Sequence, residues 1–282
     1  MKVLLPQNKN NQNGQAVLIV LLIMTVILTI GLSVVSRSVT DIKISQQTQE
    51  AARAFWVAQA GLEKAIKANA GISSDSLNDI DYTVSKATLG GGNEFVFPEK
   101  VKANETVTLW FVGHDESTGL IDTGVSFKDK ITLYWGNESE AGVPSESTPA
   151  LEATLVYNKG GFKNMHYTYD PFANRSVKTN FTPAVTTGSP FTVSGQNFKY
   201  SSDVIDLKDY GTPYFLRLRL LFNPSPQVLG VLASSSLPNQ GNCFESSATV
   251  SESGIVRKLK QCQFWLVSPN IFDYVLFSGG GI

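Results

Sequence analysis

Few side chains in this 282-residue sequence are of the kinds that do covalent or metal chemistry. The histidines are His114 and His166, and the cysteines are Cys243 and Cys262. His114 stands in FVGHDESTG, beside Asp115 and Glu116. The residue types suit a metal, but consecutive residues in a turn rarely aim at one ion, so a polar hairpin turn is expected. His166 sits near Tyr167 and Tyr169 and is expected on a strand face. The acidic spacing of a calcium loop is absent, as are a nucleophile elbow and a glycine-rich phosphate cradle. No catalytic residue, metal or cofactor is therefore expected. A formal net charge of −1 gives no electrostatic reason to expect nucleic acid.

The two cysteines lie in the last quarter of the chain. In an oxidising compartment they can pair, closing a short loop worth roughly 3 kcal/mol in the chain-entropy model. In a reducing one they are two buried thiols. Trp110, Tyr134, Tyr157, Tyr167 and Tyr169 are candidates for wet sheet faces, where they can bind a surface or glycan; packing within the sheets explains them equally well.

Another pattern lies in the hydroxyls of an apolar stretch. Thr25, Thr29 and Ser33 recur every four residues, on one helix face. Small hydroxyl residues at that spacing let helices approach closely and bond across. The other reading is hydroxyls bonding back to their own helix carbonyls.

The element that carries them is long. Ala16–Val35 is an uncharged run of twenty residues, about what a bilayer core of ~30 Å requires of a helix. A signal-peptide core is shorter, roughly 7–15 residues. No proline falls between Pro6 and Pro98, so the pattern continues as one helix to about residue 69, a rod of about 80 Å. Lys43–Glu50 is almost wholly polar and should be the exposed middle. Ala51, Phe55, Ala58, Leu62, Ala65 and Ile66 form an apolar stripe to lie on a sheet, with Trp56 at its rim. Gly71 is a plausible stop, and ISSDSLNDID after it reads as loop.

Beyond Tyr82 the period becomes two. Alternating runs are centred on Val107–Phe111, Ile131–Trp135, Leu151–Leu155 and Tyr214–Phe222, with further runs at Val228–Ala233, Ala248–Ser251, Ile255–Lys260 and Tyr274–Phe277. In Tyr214–Phe222 the leucines share one face, and Arg217 and Arg219 share the other, expected to be wet. The head is expected to be antiparallel β, with the helix laid across a sheet.

A short leader carrying Lys2 and Lys9 ends in Gly14, before the apolar run. An amphipathic continuation follows, with Arg37-Ser38 and then AFWVAQAGLEKA over residues 54–65. This text resembles type IV pilins and pseudopilins, and within them the PilX-type minor pilins. The resemblance spans about residues 10–70. It implies a cut by prepilin peptidase between Gly14 and Gln15, and methylation of the new Gln15 amine. Ile19 stands where major pilins carry Glu, which argues against a major subunit. It is compatible with a PilX-type minor pilin or the K-type pseudopilin of type II secretion.

The expected fold is α+β: a long N-terminal pilin-type helix, membrane-spanning in its first half, packed on an antiparallel β-rich globular head. Residues 1–14 would be a basic leader, 15–36 the transmembrane and assembly half of the helix, 37–70 its amphipathic half, and 71–282 the extracytoplasmic head. The implied partners are other pilin subunits through the helix, prepilin peptidase, and inner-membrane lipid before assembly. The implied function is structural, in pilus assembly, aggregation or adhesion. The alternative of another class is a permanently membrane-anchored protein whose head binds a ligand.

Overall fold

The computed structural model describes residues 13–138 and 144–267; at 13–15 and 187–188 only the backbone is described. Most of the leader, the run Tyr274–Phe277 and the terminal SGGGI lie outside the described residues.

Helix α1 (Asn13–Ala68) is continuous over 56 residues. Nothing in that stretch removes a backbone donor, and Gly31 and Gly61 are its only glycines beyond Gly14 at the start. It ends three residues before Gly71. Asn69 takes the left-handed conformation (φ 48°), and the amide of Ala70 donates to the carbonyl of Ala65 at 3.1 Å. Asparagine tolerates that conformation, so it caps the helix where glycine was expected.

The segment expected as loop is instead a hairpin. β1 (Ile72–Leu77) and β2 (Ile80–Gly90) are antiparallel around Asn78 and Asp79, both at positive φ. Two left-handed residues are what a tight hairpin turn needs, and Asn-Asp can supply them. The serines of β1 hid it, because an edge strand with polar faces carries no apolar alternation.

β2 does not pair next with its successor in sequence. Its other neighbour is β16 (Asn239–Val250), which pairs in turn with β17 (Val256–Phe264), giving the order β1-β2-β16-β17. Gly90 and Asn239 stand opposite each other at the end of the β2–β16 ladder. Most of the head is thus inserted between two adjacent strands of this sheet.

The insertion begins with β3 (Glu94–Val96), β4 (Thr106–Trp110), the hairpin β5 (Val112–His114) and β6 (Ile121–Ser126), and β7 (Lys130–Asn137). It continues with β8 (Ala150–Asn158), β9 (Phe162–Asp170), short α2 (Ala173–Thr179) and β10 (Thr182–Pro183). β11 (Val185–Val193), β12 (Gln196–Ser201), β13 (Ile205–Asp206), β14 (Thr212–Leu221) and β15 (Leu229–Ala233) complete it. Two sheets result, ordered β10-β9-β8-β14-β4 and β11-β12-β7-β15-β3, with β13 added on β7. All described pairs are antiparallel except β9–β10.

The head therefore has two main cores. In the sandwich, Leu109, Leu151, Leu155, Leu216, Leu218 and Leu220 of one sheet meet Ile131, Leu133, Trp135, Leu229 and Val231 of the other. In the smaller core, Ala54, Val57, Ala58, Leu62 and Ala65 of α1 meet Tyr82, Val84, Phe244 and Ala248. Three alanines at this contact let the helix lie close to the sheet. The expected stripe holds at Ala58, Leu62 and Ala65, which are buried, and at Ile66, which packs against them; at its N-terminal end Ala54 and Val57 are buried where Phe55 was expected, Phe55 being 39% and Trp56 64% exposed.

Two expectations about wet faces also change. Arg217 is only 5% exposed, although Arg219 beside it is half-buried and its Nε donates to Glu152 at 3.0 Å. Trp110, Tyr134, Tyr157 and Tyr169 are buried, so a wet aromatic face is not what they form. Tyr157 and Tyr169 belong to the sandwich core, Tyr134 packs with Phe198 and Phe191 in a smaller cluster, and Trp110 packs on His114 and Phe215.

Candidate functional site

The feature set apart from both cores is the free part of α1. Every described side chain from Ala16 to Gln49 is exposed, although the best 18-residue window there has a mean hydropathy of 3.0. It is the one helix among the described residues long and apolar enough to cross a membrane. Apolar surface on that scale is unusual for a monomer in water and needs lipid or protein to cover it.

Gly14 and Gln15, where processing is expected, lie in the first turn of α1, with only their backbone described. On the hydroxyl face, Thr25 Oγ1 donates to the carbonyl of Leu22 and Thr29 Oγ1 to that of Val26, each at 2.8 Å. The hydroxyls are thus satisfied within the helix. Thr25, Thr29 and Ser33 remain together on one exposed face. Thr40 and Thr48 bond back in the same way to Ser36 and Ile44.

The last turns of α1 are fastened to the sheet by polar contacts around the apolar seam. Lys64 Nζ and Tyr82 Oη both donate to Asp75 Oδ2, at 2.6 and 2.7 Å. The Lys64 ammonium first, and then the Tyr82 hydroxyl, hold the Asp75 carboxyl down to about 2. Arg53 Nη2 donates to the carbonyl of Asn78 in the hairpin turn at 3.1 Å. Gly61 lies against the Tyr82 ring, a close approach that the sequence did not signal.

Asn69 also joins the helix end to the inserted sandwich. Its Nδ2 donates to the carbonyl of Glu116, at the tip of the β5–β6 hairpin, at 2.9 Å. Glu116 in turn accepts from Lys86 Nζ of β2 at 3.1 Å. The FVGHDESTG text therefore works as a clasp. Asp115 Oδ1 accepts from the amides of Ser117 and Thr118, an Asx turn rather than a metal cradle. The ring of His114 is stacked on Trp265 at 5.0 Å and edge-on to Trp110 at 4.5 Å. Burial lowers its pKa and favours the neutral imidazole. His166 is exposed on β9, its Nδ1 3.1 Å from Thr154 Oγ1. Among the described residues no three of His, Cys, Asp and Glu converge as a metal site.

Cys243 and Cys262 are directly opposite in the β16–β17 ladder and are disulfide-bonded, with Cα atoms 4.0 Å apart. The bond closes the hairpin that bears the C-terminal half of the helix-binding sheet.

Comparison with protein-family models, with curated proteins and with solved structures finds no match to this chain. What the geometry establishes is a pilin-like architecture: one long apolar N-terminal helix, seated by its C-terminal turns on an antiparallel β-rich head. That arrangement can anchor or assemble.

Proposed function

We propose that this chain is a minor-pilin-like structural subunit, of the PilX type, of a type IV pilus or a related filament. Residues 1–14 are the leader, removed by prepilin peptidase after Gly14, and Gln15 is the new, methylated N-terminus. Residues 15–36 hold the subunit in the inner membrane before assembly and pack on other subunits afterwards; residues 37–70 carry the head clear of the membrane. The 71–282 head then stands outside the cytoplasm and ends on the cell-surface filament.

The single observation that carries this reading is the exposure of α1 from Ala16 to Gln49, against the burial of its end in the small core. A plain anchor needs an apolar span of about 20 residues. Here the rod continues for several more turns before the head begins. The face of Thr25, Thr29 and Ser33 supports lateral packing, since Thr25 and Thr29 present small groups without needing a bond across helices. Ile19 in place of Glu favours an initiating or accessory position over a major subunit. The role is assembly, aggregation or adhesion, without catalysis.

A second reading is favoured by the large inserted sandwich: a permanently anchored protein whose head recognises a ligand. Intact mass of the protein from membranes separates the two. Loss of residues 1–14 is expected, and Gly14→Ala should retain them and abolish surface display. Unchanged mass with unchanged display would defeat the pilin reading. An exported head should also resist alkylation at Cys243 and Cys262 until reduced; two adducts without reductant would place the head in a reducing compartment.

A further inference from the structure

The sheet that seats α1 stops short of covering it. The helix lies over β2, β16 and β17. Arg53 and Lys64 reach Asn78 and Asp75 of the β1–β2 hairpin and mark one flank of the helix. Phe55, Gln59, Leu62 and Ile66 recur at four- and three-residue steps on the other flank, the one toward β17. Leu62 is buried and Ile66 partly so, but Phe55 is 39% exposed. β17 is the last strand on that side, and among the described residues it pairs with β16 alone. Leu259 stands opposite Ser246, on the helix side, and packs partly buried against the small core. An open strand edge nine residues long therefore runs beside an apolar helix flank, with room for one more strand beneath it.

The side chains of that edge say what fits there. Residues directly opposite in a ladder share a face, so Lys258 and Lys260 lie with Ser247 and Glu245 on the side away from α1. With Arg257 they put three exposed cations within four residues. Glu245 Oε1 is 3.9 Å from Lys258 Nζ, and both side chains reach solvent, so the edge stays basic. Lysines on an edge hold two copies of it apart, because like charges would stand opposite each other. An acidic strand meets no such barrier. The Cys243–Cys262 disulfide pins β17 to β16, so the edge is in place before anything binds.

We propose that β17 accepts an extended acidic segment of a partner protein as a fifth strand of the helix-binding sheet. Main-chain hydrogen bonds to the free edge carry the added strand. Its successive side chains divide between the two faces. Acidic residues stand beside Lys258 and Lys260, and apolar residues lie beside Leu259 and under Phe55. The sequence that fits therefore alternates acidic and apolar residues. This holds whether or not the chain is cut after Gly14.

A fluorescent peptide of alternating glutamate and valine, nine residues long like β17, tests this by anisotropy with the full chain in detergent micelles. The wild type should bind it, and hydrogen exchange at the β17 amides should slow when it does. Lys258→Glu with Lys260→Glu should weaken binding at least about tenfold, because like charges then face each other. Phe55→Ser should weaken it with the charges intact, and its result stands even where the double variant fails to fold. A peptide of the same composition, with its glutamates in one block and its valines in another, should bind more weakly, since the period no longer matches the two faces. Absence of wild-type binding, equal affinity for the block peptide or for the charge-reversed variant, or unchanged exchange in β17 each overturns the proposal. Dimers of the protein alone that the peptide dissociates would assign the edge to a second copy, and overturn it as well.

Discussion

A Cβ placed on Gly61 of α1 would lie 2.5 Å from Cδ2 of Tyr82 on β2. The ring is not free to swing away, because Tyr82 Oη is held by Asp75 at 2.7 Å. Gly61 thus sets how closely the helix lies on the sheet, and the rod and head are fitted at this point.

Gly61→Ala should therefore destabilise the head despite the better helix propensity of alanine. Propensity favours alanine by about 1 kcal/mol, whereas forcing extra atoms into a fitted seam costs about 1–3 kcal/mol. Chemical denaturation should show a net loss for the single variant. In a Tyr82→Ala background the same change should become neutral or stabilising, since the clash has gone. A stabilising effect in the wild-type background would show that the seam is loose.

The Lys64–Asp75–Tyr82 group gives the docking an acid limit. The Asp75 carboxyl is held at about 2 in the folded protein, below its ordinary value of 3.8. A depressed carboxyl contributes stability that is fully present above about pH 4 and is lost as pH falls toward 2. Lys64 and Asp75 both reach solvent, so screening keeps the effect small. Melting temperatures measured from pH 5 to pH 2 should fall more steeply for the wild type than for Asp75→Asn. Parallel curves would show that the contact contributes nothing in solution.

The pairing of Gly90 with Asn239 predicts that the sandwich can be cut out. Replacing residues 91–238 by a short hairpin turn should leave α1 seated on the β1-β2-β16-β17 sheet, because that unit has its own core. The excision also removes Glu116 and with it the hydrogen bonds from Asn69 and Lys86. Both are exposed, each worth about 0–1 kcal/mol. Cooperative unfolding by circular dichroism, with amide protection retained in β2 and β16, is the expected result. Loss of protection in both strands would show that the small core depends on the insert.

Much of the helix was legible because its signals are local. An uncharged run of twenty residues, the absence of proline and a 3.6-residue period each act within a few turns of the chain. The same holds for β14, where leucines alternate with Arg217 and Arg219. Local signals gave less at the ends and edges. Asn69 rather than Gly71 closes α1, and β1 reads as loop because an edge strand has no buried face to write into its sequence. The helix stripe holds from Ala58 to Ala65, but at its start Ala54 and Val57 take the place of Phe55, because the sheet, not the helix, decides which side is covered.

From the sequence alone came the apolar rod, its polar middle, the β character of the head and the absence of a catalytic motif. These follow from the composition and period of neighbouring residues. Only the tertiary structure decided that two cores exist, that β2 and β16 are neighbours, and that Arg217 is buried while Phe55 and Trp56 are bare. Each of these depends on residues far apart in the chain coming together. Strand pairing is a contact between distant segments, and no short window of sequence carries it.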